Sequence, residues 1–349
     1  MKKKDNDQGH LRNILFTIPK TEIHLHLEGL ATVDTIWKLK TKHDLDLNGI
    51  KTKKDLIRRF QVKNLNDFID LFINIIQNCF RKEEDILYLI EDAESYLERN
   101  NIVYAEIFFA PSKFVRNGFS YSKIVDLLDE GADKIRKNSG REIRFLMDVS
   151  RSFGPENAMR NLDLTLEHPK QSFIGIGLGG AESQGPAQDY KEIFQKARDK
   201  GLRVVAHAGE DVGPESIWHA IEDLNTERIG HGISAQYDDA LMKLLTERQI
   251  PLEICPMSNI FTGKYVKGYK DHPIKLFYDR GIFVTVNTDD PTIFGAELID
   301  EYVNLVENGI FTLEQCYDLI RNTLKASFLP DNRKNELMQQ TEESIHART

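Results

Sequence analysis

The sequence predicts an α/β fold, a (β/α)8 TIM barrel, on three observations. Eight short apolar segments read as strands, and a helical pattern follows almost every one. Regular alternation of this kind argues for a parallel sheet, and eight units argue for a closed barrel. A chain of 349 residues is an ordinary length for one such barrel, so residues 1–349 are expected to form a single domain. Four of the strand-like segments end in histidine or aspartate, at the end where a barrel collects its chemistry.

Thr21-Glu22-Ile23-His24-Leu25-His26-Leu27-Glu28-Gly29 is the first strand. Its aliphatic residues alternate with His24 and His26, and a period of two puts both imidazoles on one face. A mainly helical insertion follows, residues 33 to 99, in which Leu65, Phe68, Ile69, Phe72, Ile75 and Ile76 recur at helical spacing. That stripe reads as core-facing, and the position of the insertion also allows a lid over a pocket.

Ile102–Phe108 is the second strand, followed by a helix from Ser120 to Lys137. Glu142–Met147 is the third, followed by a helix over Pro155–Glu167 with proline in its first turn. Ser172–Ile176 runs into Gly177-Leu178-Gly179-Gly180, and Leu202–Ala206 precedes His207. Arg228–Gly230 precedes His231, Pro251–Ile254 precedes Cys255, and Ile282–Val286 precedes Asp289 and Asp290. Two helices complete the chain, the second opening with the capping pattern Thr312-Leu313-Glu314-Gln315.

Composition narrows the function. A net charge of −9 argues against a nucleic-acid surface, and the basic run Lys51–Arg59, interrupted by Asp55, reads as a solvated helix face. No run is long and apolar enough to span a bilayer. Met1-Lys2-Lys3-Lys4 resembles the start of a signal peptide, but Ile14-Leu15-Phe16 is too short an apolar stretch to complete one, so a cytoplasmic location is expected. The three cysteines, Cys79, Cys255 and Cys316, are too scattered for a disulfide framework or metal knuckle. Nothing in the sequence specifies an oligomeric state.

His24, His26, His207, His231, Asp289 and Asp290 all fall at predicted C-terminal strand ends. Three imidazoles with one carboxylate suit Zn²⁺, leaving a position for a water whose pKa the metal lowers. Glu210 follows His207 by one turn, and Gly209 between them could swing its carboxylate over the metal. A carboxylic acid there, its pKa raised by burial, could pass a proton to a substrate nitrogen. Read alone, Glu210 is better taken as a helix-start glutamate before Pro214. The other six histidines, His10, His43, His168, His219, His272 and His346, sit in helical or loop contexts and read mostly as surface residues; Tyr104, Trp218 and Cys255 read as packing.

The set His24-Leu25-His26-Leu27-Glu28-Gly29, His207-Ala208-Gly209-Glu210, Arg228-Ile229-Gly230-His231-Gly232, Cys255-Pro256-Met257-Ser258-Asn259 and Asn287-Thr288-Asp289-Asp290-Pro291 resembles the adenosine deaminase family of metal-dependent amidohydrolase barrels. The motifs occur in that family's order, from residue 20 to about 295. The resemblance implies one zinc per chain held by His24, His26, His207 and Asp289. It implies that Glu210 protonates purine N1 while water attacks C6, and that His231 orients or deprotonates that water and stabilises the oxyanion. Asp290 would meet N7 and the Gly180 N–H would meet N3.

The implied reaction is hydrolytic deamination of adenosine and 2′-deoxyadenosine to the 6-oxo nucleoside, in purine salvage. Glu28 stands where animal-type members carry an aspartate that meets the ribose 5′-hydroxyl, and glutamate there is common in adenine and aminodeoxyfutalosine deaminases. Those two activities are therefore the alternatives, the second belonging to menaquinone synthesis. Gly179-Gly180-Ala181-Glu182 lacks the Ser-Ser-Glu signature of adenine deaminases, whereas Phe261-Thr262-Gly263 resembles nucleoside-acting members. A two-metal hydrolase is disfavoured because the fourth strand carries no lysine. The other zinc-deaminase type needs a P-C-x-x-C pair, which is absent. A catalytically dead relative is disfavoured because every ligand and acid position is intact.

Overall fold

The structure, a computed structural model, describes residues 2–47, 49–63 and 65–347. Eight strands pair in parallel in chain order: β1 (Lys20–His26), β2 (Ile102–Phe109), β3 (Glu142–Asp148), β4 (Phe173–Leu178), β5 (Arg203–Ala208), β6 (Arg228–His231), β7 (Leu252–Ile254) and β8 (Val284–Val286). Residues just beyond β8 bring the sheet back to β1. The His26 N–H donates to the Asp289 carbonyl (2.9 Å), and the Asp289 N–H to that of His24 (3.2 Å). The Ile23 N–H donates to Asn287 Oδ1 (3.0 Å). The expected (β/α)8 TIM barrel is what the chain forms.

Every residue of β1 is buried, as a strand covered on both faces requires. β5 and β6 run further than expected and take His207 and His231 into the sheet itself. Between β1 and β2 lie the helices Val33–Lys42, Lys53–Phe60, Leu65–Ile69 and Leu87–Arg99, with Asp70–Ile76 wound as a π-helix. The basic run is an exposed helix whose start is fixed by reciprocal bonds between Thr52 and Asp55. Ile75 and Ile76 of the apolar stripe enter the core, whereas Phe68 and Phe72 are only half-buried; the side chain of Leu65 lies outside the described residues.

The helix over 121–139 is capped by Ser120, whose hydroxyl accepts from the Lys123 N–H. Four helices rather than two follow β8: Pro291–Phe294, Leu298–Glu307, Leu313–Ala326 and Asp331–His346. Pro291 starts a single turn that Gly295 ends, and Pro330 divides the last helical run in two. Thr312 and Gln315 form the expected capping box. A helix over Lys2–Thr17, not expected from its charged sequence, docks through Leu15. Fully buried side chains such as Phe80, Phe108 and Phe145 fill the core, each contributing roughly 1.5–3 kcal/mol. No helix among the described residues is long and apolar enough to cross a membrane.

Candidate active site

His24, His26, His207 and Asp289 converge at the C-terminal ends of β1, β5 and β8, offering one donor atom each within 4.8 Å of one another. His26 Nε2 lies 3.2 Å from both His207 Nε2 and Asp289 Oδ1, and His24 Nε2 lies 3.6 Å from the same oxygen. Asp289 Oδ2 accepts a hydrogen bond from Ser258 (2.7 Å), which leaves Oδ1 facing the rings. His24 Nδ1 donates to Glu253 Oε2 at 2.6 Å, which turns its Nε2, buried and without a hydrogen-bond partner among the described residues, toward the other donors. Burial, reinforced by the neighbouring imidazoles, holds His207 well below the usual histidine range and therefore neutral. Three imidazoles aimed at one point, with a carboxylate opposite, fit a single divalent cation of the zinc type.

Glu253 is a residue that motif reading passes over. Its Oε1 meets Arg228 Nε at 2.6 Å, and Arg228 Nη2 continues to Glu106 Oε2 at 2.6 Å, all three side chains being buried. The chain of charges fixes the ring of His24 from behind, as carboxylates commonly do for metal-binding histidines. Glu253→Gln is expected to weaken metal binding about 10- to 100-fold. Competition with a chelator measures this, and wild-type affinity would break the link between Glu253 and the metal site.

Glu210 sits on a turn built for it. Gly209 has φ +71°, and a Cβ there would lie 2.5 Å from Ile217 Cδ1 and from Ser234 Oγ, so only glycine fits. Glu182 clamps the turn. Its carboxylate accepts from the N–H groups of Gly209 (2.8 Å), Glu210 (2.7 Å) and Asp211 (3.2 Å), and from the Ser216 hydroxyl. Burial, then the charges of Asp289 and Glu182, push the Glu210 carboxyl well above the usual range. Both favour its protonated form.

The state of His231 is set by a relay. The Ile274 N–H can only donate, and it donates to His272 Nδ1 (3.1 Å), so the proton of neutral His272 is on Nε2. Burial lowers His272 to about 3, which keeps it neutral. His272 Nε2 then donates to Asn259 Oδ1 (3.3 Å), and Asn259 Nδ2 donates to His231 Nδ1 (3.0 Å). Burial also lowers His231, to about 3. Its single proton is therefore on Nε2, 3.4 Å from Glu210 Oε2. His272, one of six histidines expected to be mostly at the surface, is buried and closes this relay; His231 and Asp289 also hold positive φ, +61° and +68°, a strain that side chains bear where geometry is over-determined.

These groups face a cavity of about 370 Å³, which Asp290 and Gly180 also line. Burial, then the charge of Asp289, pushes Asp290 well above the usual carboxylate range. Glu28 is placed differently. It is fully buried and outside the lining, its Oε1 accepting from Gln77 Nε2 (3.2 Å) and the Ala110 N–H (3.2 Å), so Gln77 faces the cavity in its stead. Phe68, Phe72, Phe261 and Phe294 form an apolar wall, with Phe294 stacked on Phe68 at 5.4 Å. Cys255 is buried and outside the donor set, its thiol donating to the Glu253 carbonyl at 3.6 Å.

The model of the adenosine deaminase family matches residues 19–344. This chain belongs to that family. Among its relatives, an adenine deaminase of Psychrobacter cryohalolentis is 29% identical over 340 residues, covering 95% of this chain and 99% of the relative. An aminodeoxyfutalosine deaminase of Streptomyces avermitilis is 32% identical over 327 residues, covering 91% and 89%. The crystal structure of an adenine deaminase from Arthrobacter aurescens superposes with a TM-score of 0.88 at 28% identity, covering 94% of this chain and 99% of that one. These relatives overturn the expected specificity for adenosine and 2′-deoxyadenosine, because within the family the chain is similar to deaminases of other 6-aminopurines. Glu28, at the position of the aspartate that would receive a 5′-hydroxyl, lies behind the lining, its Oε1 bonded to Gln77 and the Ala110 N–H.

Proposed function

We propose that this chain hydrolytically removes the 6-amino group of a 6-aminopurine, with aminodeoxyfutalosine as substrate. The observation that carries the reading is the convergence of Glu210, His231 and Asp289, with atoms within 4.8 Å of one another, beside the donor set. A zinc ion held by His24, His26, His207 and Asp289 would supply a Lewis acid that lowers the pKa of water at the site. The remaining steps belong to side chains. Glu210, protonated, delivers its proton to N1, which breaks ring conjugation and opens C6 to attack. His231 presents Nε2–H to the oxygen that adds at C6, so it acts as a donor that orients and stabilises rather than as a base. Asp290, held protonated, donates to N7, and the Gly180 N–H meets N3. Glu210, left as the carboxylate, takes the proton that the adding water releases and passes it to the amino group. Ammonia leaves C6, the C6 hydroxyl proton returns to Glu210, and the ring becomes the 6-oxo purine.

Two features of the cavity support aminodeoxyfutalosine over free adenine. About 370 Å³ is the size of a site for a drug-sized ligand rather than a bare base. The aromatic wall offers apolar contact to a substituent beyond the ring. No lysine or arginine lines the cavity among the described residues, which argues against a nucleotide phosphate. Adenine is the second reading, favoured by the near full-length match to adenine deaminases. Ultraviolet assay of the zinc-loaded protein decides between them, with aminodeoxyfutalosine expected to exceed adenine in kcat/KM by at least about tenfold. Turnover of adenine alone would select the second reading. Turnover of neither, with metal bound, would remove the deaminase reading.

A further inference from the structure

We infer that Asp148, Ser150 and Ser152 form a second polar subsite, which binds the hydroxyls of a sugar carried on N9 of the purine. The inference rests on the 6-aminopurine reading and deepens it. All three residues line the cavity. Asp148 is 6% exposed; its Oδ1 accepts from the N–H groups of Ser150 (2.8 Å) and Gly179 (2.9 Å), and its Oδ2 has no hydrogen-bond partner among the described residues. The nearest cation in sequence, Arg151, points elsewhere, donating to the carbonyls of Gly185 (2.8 Å), Leu178 (3.1 Å) and His207 (2.8 Å). A carboxylate oxygen that faces a cavity and accepts no hydrogen bond from the described residues is an acceptor awaiting a donor.

Position identifies that donor. A Cβ on Gly179 would lie 2.9 Å from Asp148 Oδ2, and one on Gly180 would lie 2.8 Å from Ser152 Oγ. The carboxylate and the hydroxyl therefore flank Gly179 and Gly180, the second of which the proposed reading sets at the N3 edge. In a purine, N9 is bonded to the same ring carbon as N3, so a substituent on N9 leaves the ring on this side. Among the described residues the lining carries carboxylates and hydroxyls and no lysine or arginine, which suits a group that donates hydrogen bonds, as a ribose diol does, better than a phosphate. Ser150 is held at φ +59° and ψ 118°, a costly conformation for a residue with a side chain, and its N–H bond to Asp148 is part of what holds it.

The test is calorimetric titration with hypoxanthine, bare and bearing ribose on N9, into zinc-loaded wild type, Asp148→Asn and Ser152→Ala. Asparagine retains an oxygen for the two backbone N–H groups and exchanges only the free oxygen, so the loop keeps its bonds. Ribose is expected to tighten wild-type binding, and Asp148→Asn is expected to remove about 10- to 100-fold of that gain. Ser152→Ala should remove a smaller part. Equal weakening of both ligands by Asp148→Asn would make the residue merely structural and overturn the subsite. So would wild-type binding of bare hypoxanthine that ribose leaves unchanged. Failure of wild type to bind either ligand would instead overturn the purine reading and the subsite with it.

Discussion

Glu210→Gln is expected to lower kcat by about 10²- to 10⁴-fold while leaving metal content at the wild-type level. The substitution is nearly isosteric, and the turn that carries it is held through backbone N–H groups by Glu182, so the side chain stays in place. What is lost is a transferable proton. An amide can donate a hydrogen bond to N1 but cannot protonate it, and without protonation an aromatic amine is a poor leaving group. Metal content should not change, because the donor set of His24, His26, His207 and Asp289 does not include Glu210. Turnover measured alongside elemental analysis separates the two effects. Near-normal kcat would remove Glu210 as the acid; loss of metal would make it a ligand.

Much of this site is legible in the sequence, because strand periodicity is local. His24 and His26 share a face simply because they are two residues apart, and the barrel rule places His207, His231 and Asp289 at the same end. The supporting groups are invisible for the opposite reason. Glu253 reaches His24 across 229 positions of sequence, and Glu182 reaches the turn of Glu210 across 28, so no window of residues displays either contact. One signal was available: Glu253 is a charge inside the short apolar segment Pro251–Cys255, where burial demands a partner. His272 gave no such signal. Its flanking residues, Lys270, Asp271 and Pro273, read as a surface turn, yet its ring is buried, with both nitrogens bonded, to Asn259 and to the Ile274 N–H.

The specificity was harder to read, for a physical reason. Glu28 was read by its position in a motif, yet a strand-end side chain can turn into the cavity or away from it. Here Gln77, contributed by the insertion, and the Ala110 N–H hold its Oε1 behind the lining they themselves form. The residues that shape the far side of the cavity, Phe68, Phe72, Phe261 and Phe294, come from separate segments, and at helical spacing Phe68 and Phe72 look like core packing. Chemistry at the ring is encoded in motifs; the space beyond the ring is encoded in how the segments meet.

Asp289→Ala should abolish metal binding and turnover together, with affinity for the metal falling by more than about 100-fold, beyond what loss of an outer-shell partner costs. Three imidazoles would remain, but the one anionic donor, which holds Oδ1 3.2 Å from His26 Nε2, would be gone. The barrel itself should survive, since Asp289 closes it onto β1 through backbone N–H and carbonyl groups that any residue supplies. Alanine at φ +68° adds strain, so Asp289→Asn serves as the companion variant: it keeps the shape and the tie to Ser258 while removing the charge. Both variants should fold, by circular dichroism, and both should fail to retain metal through dialysis. The informative alternative is a variant that keeps its metal and loses turnover. That result would move Asp289 from ligand to proton acceptor for the attacking water, a role its charge and its place between the donor set and Glu210 would equally allow, and would leave the three histidines as the whole of the metal's protein shell.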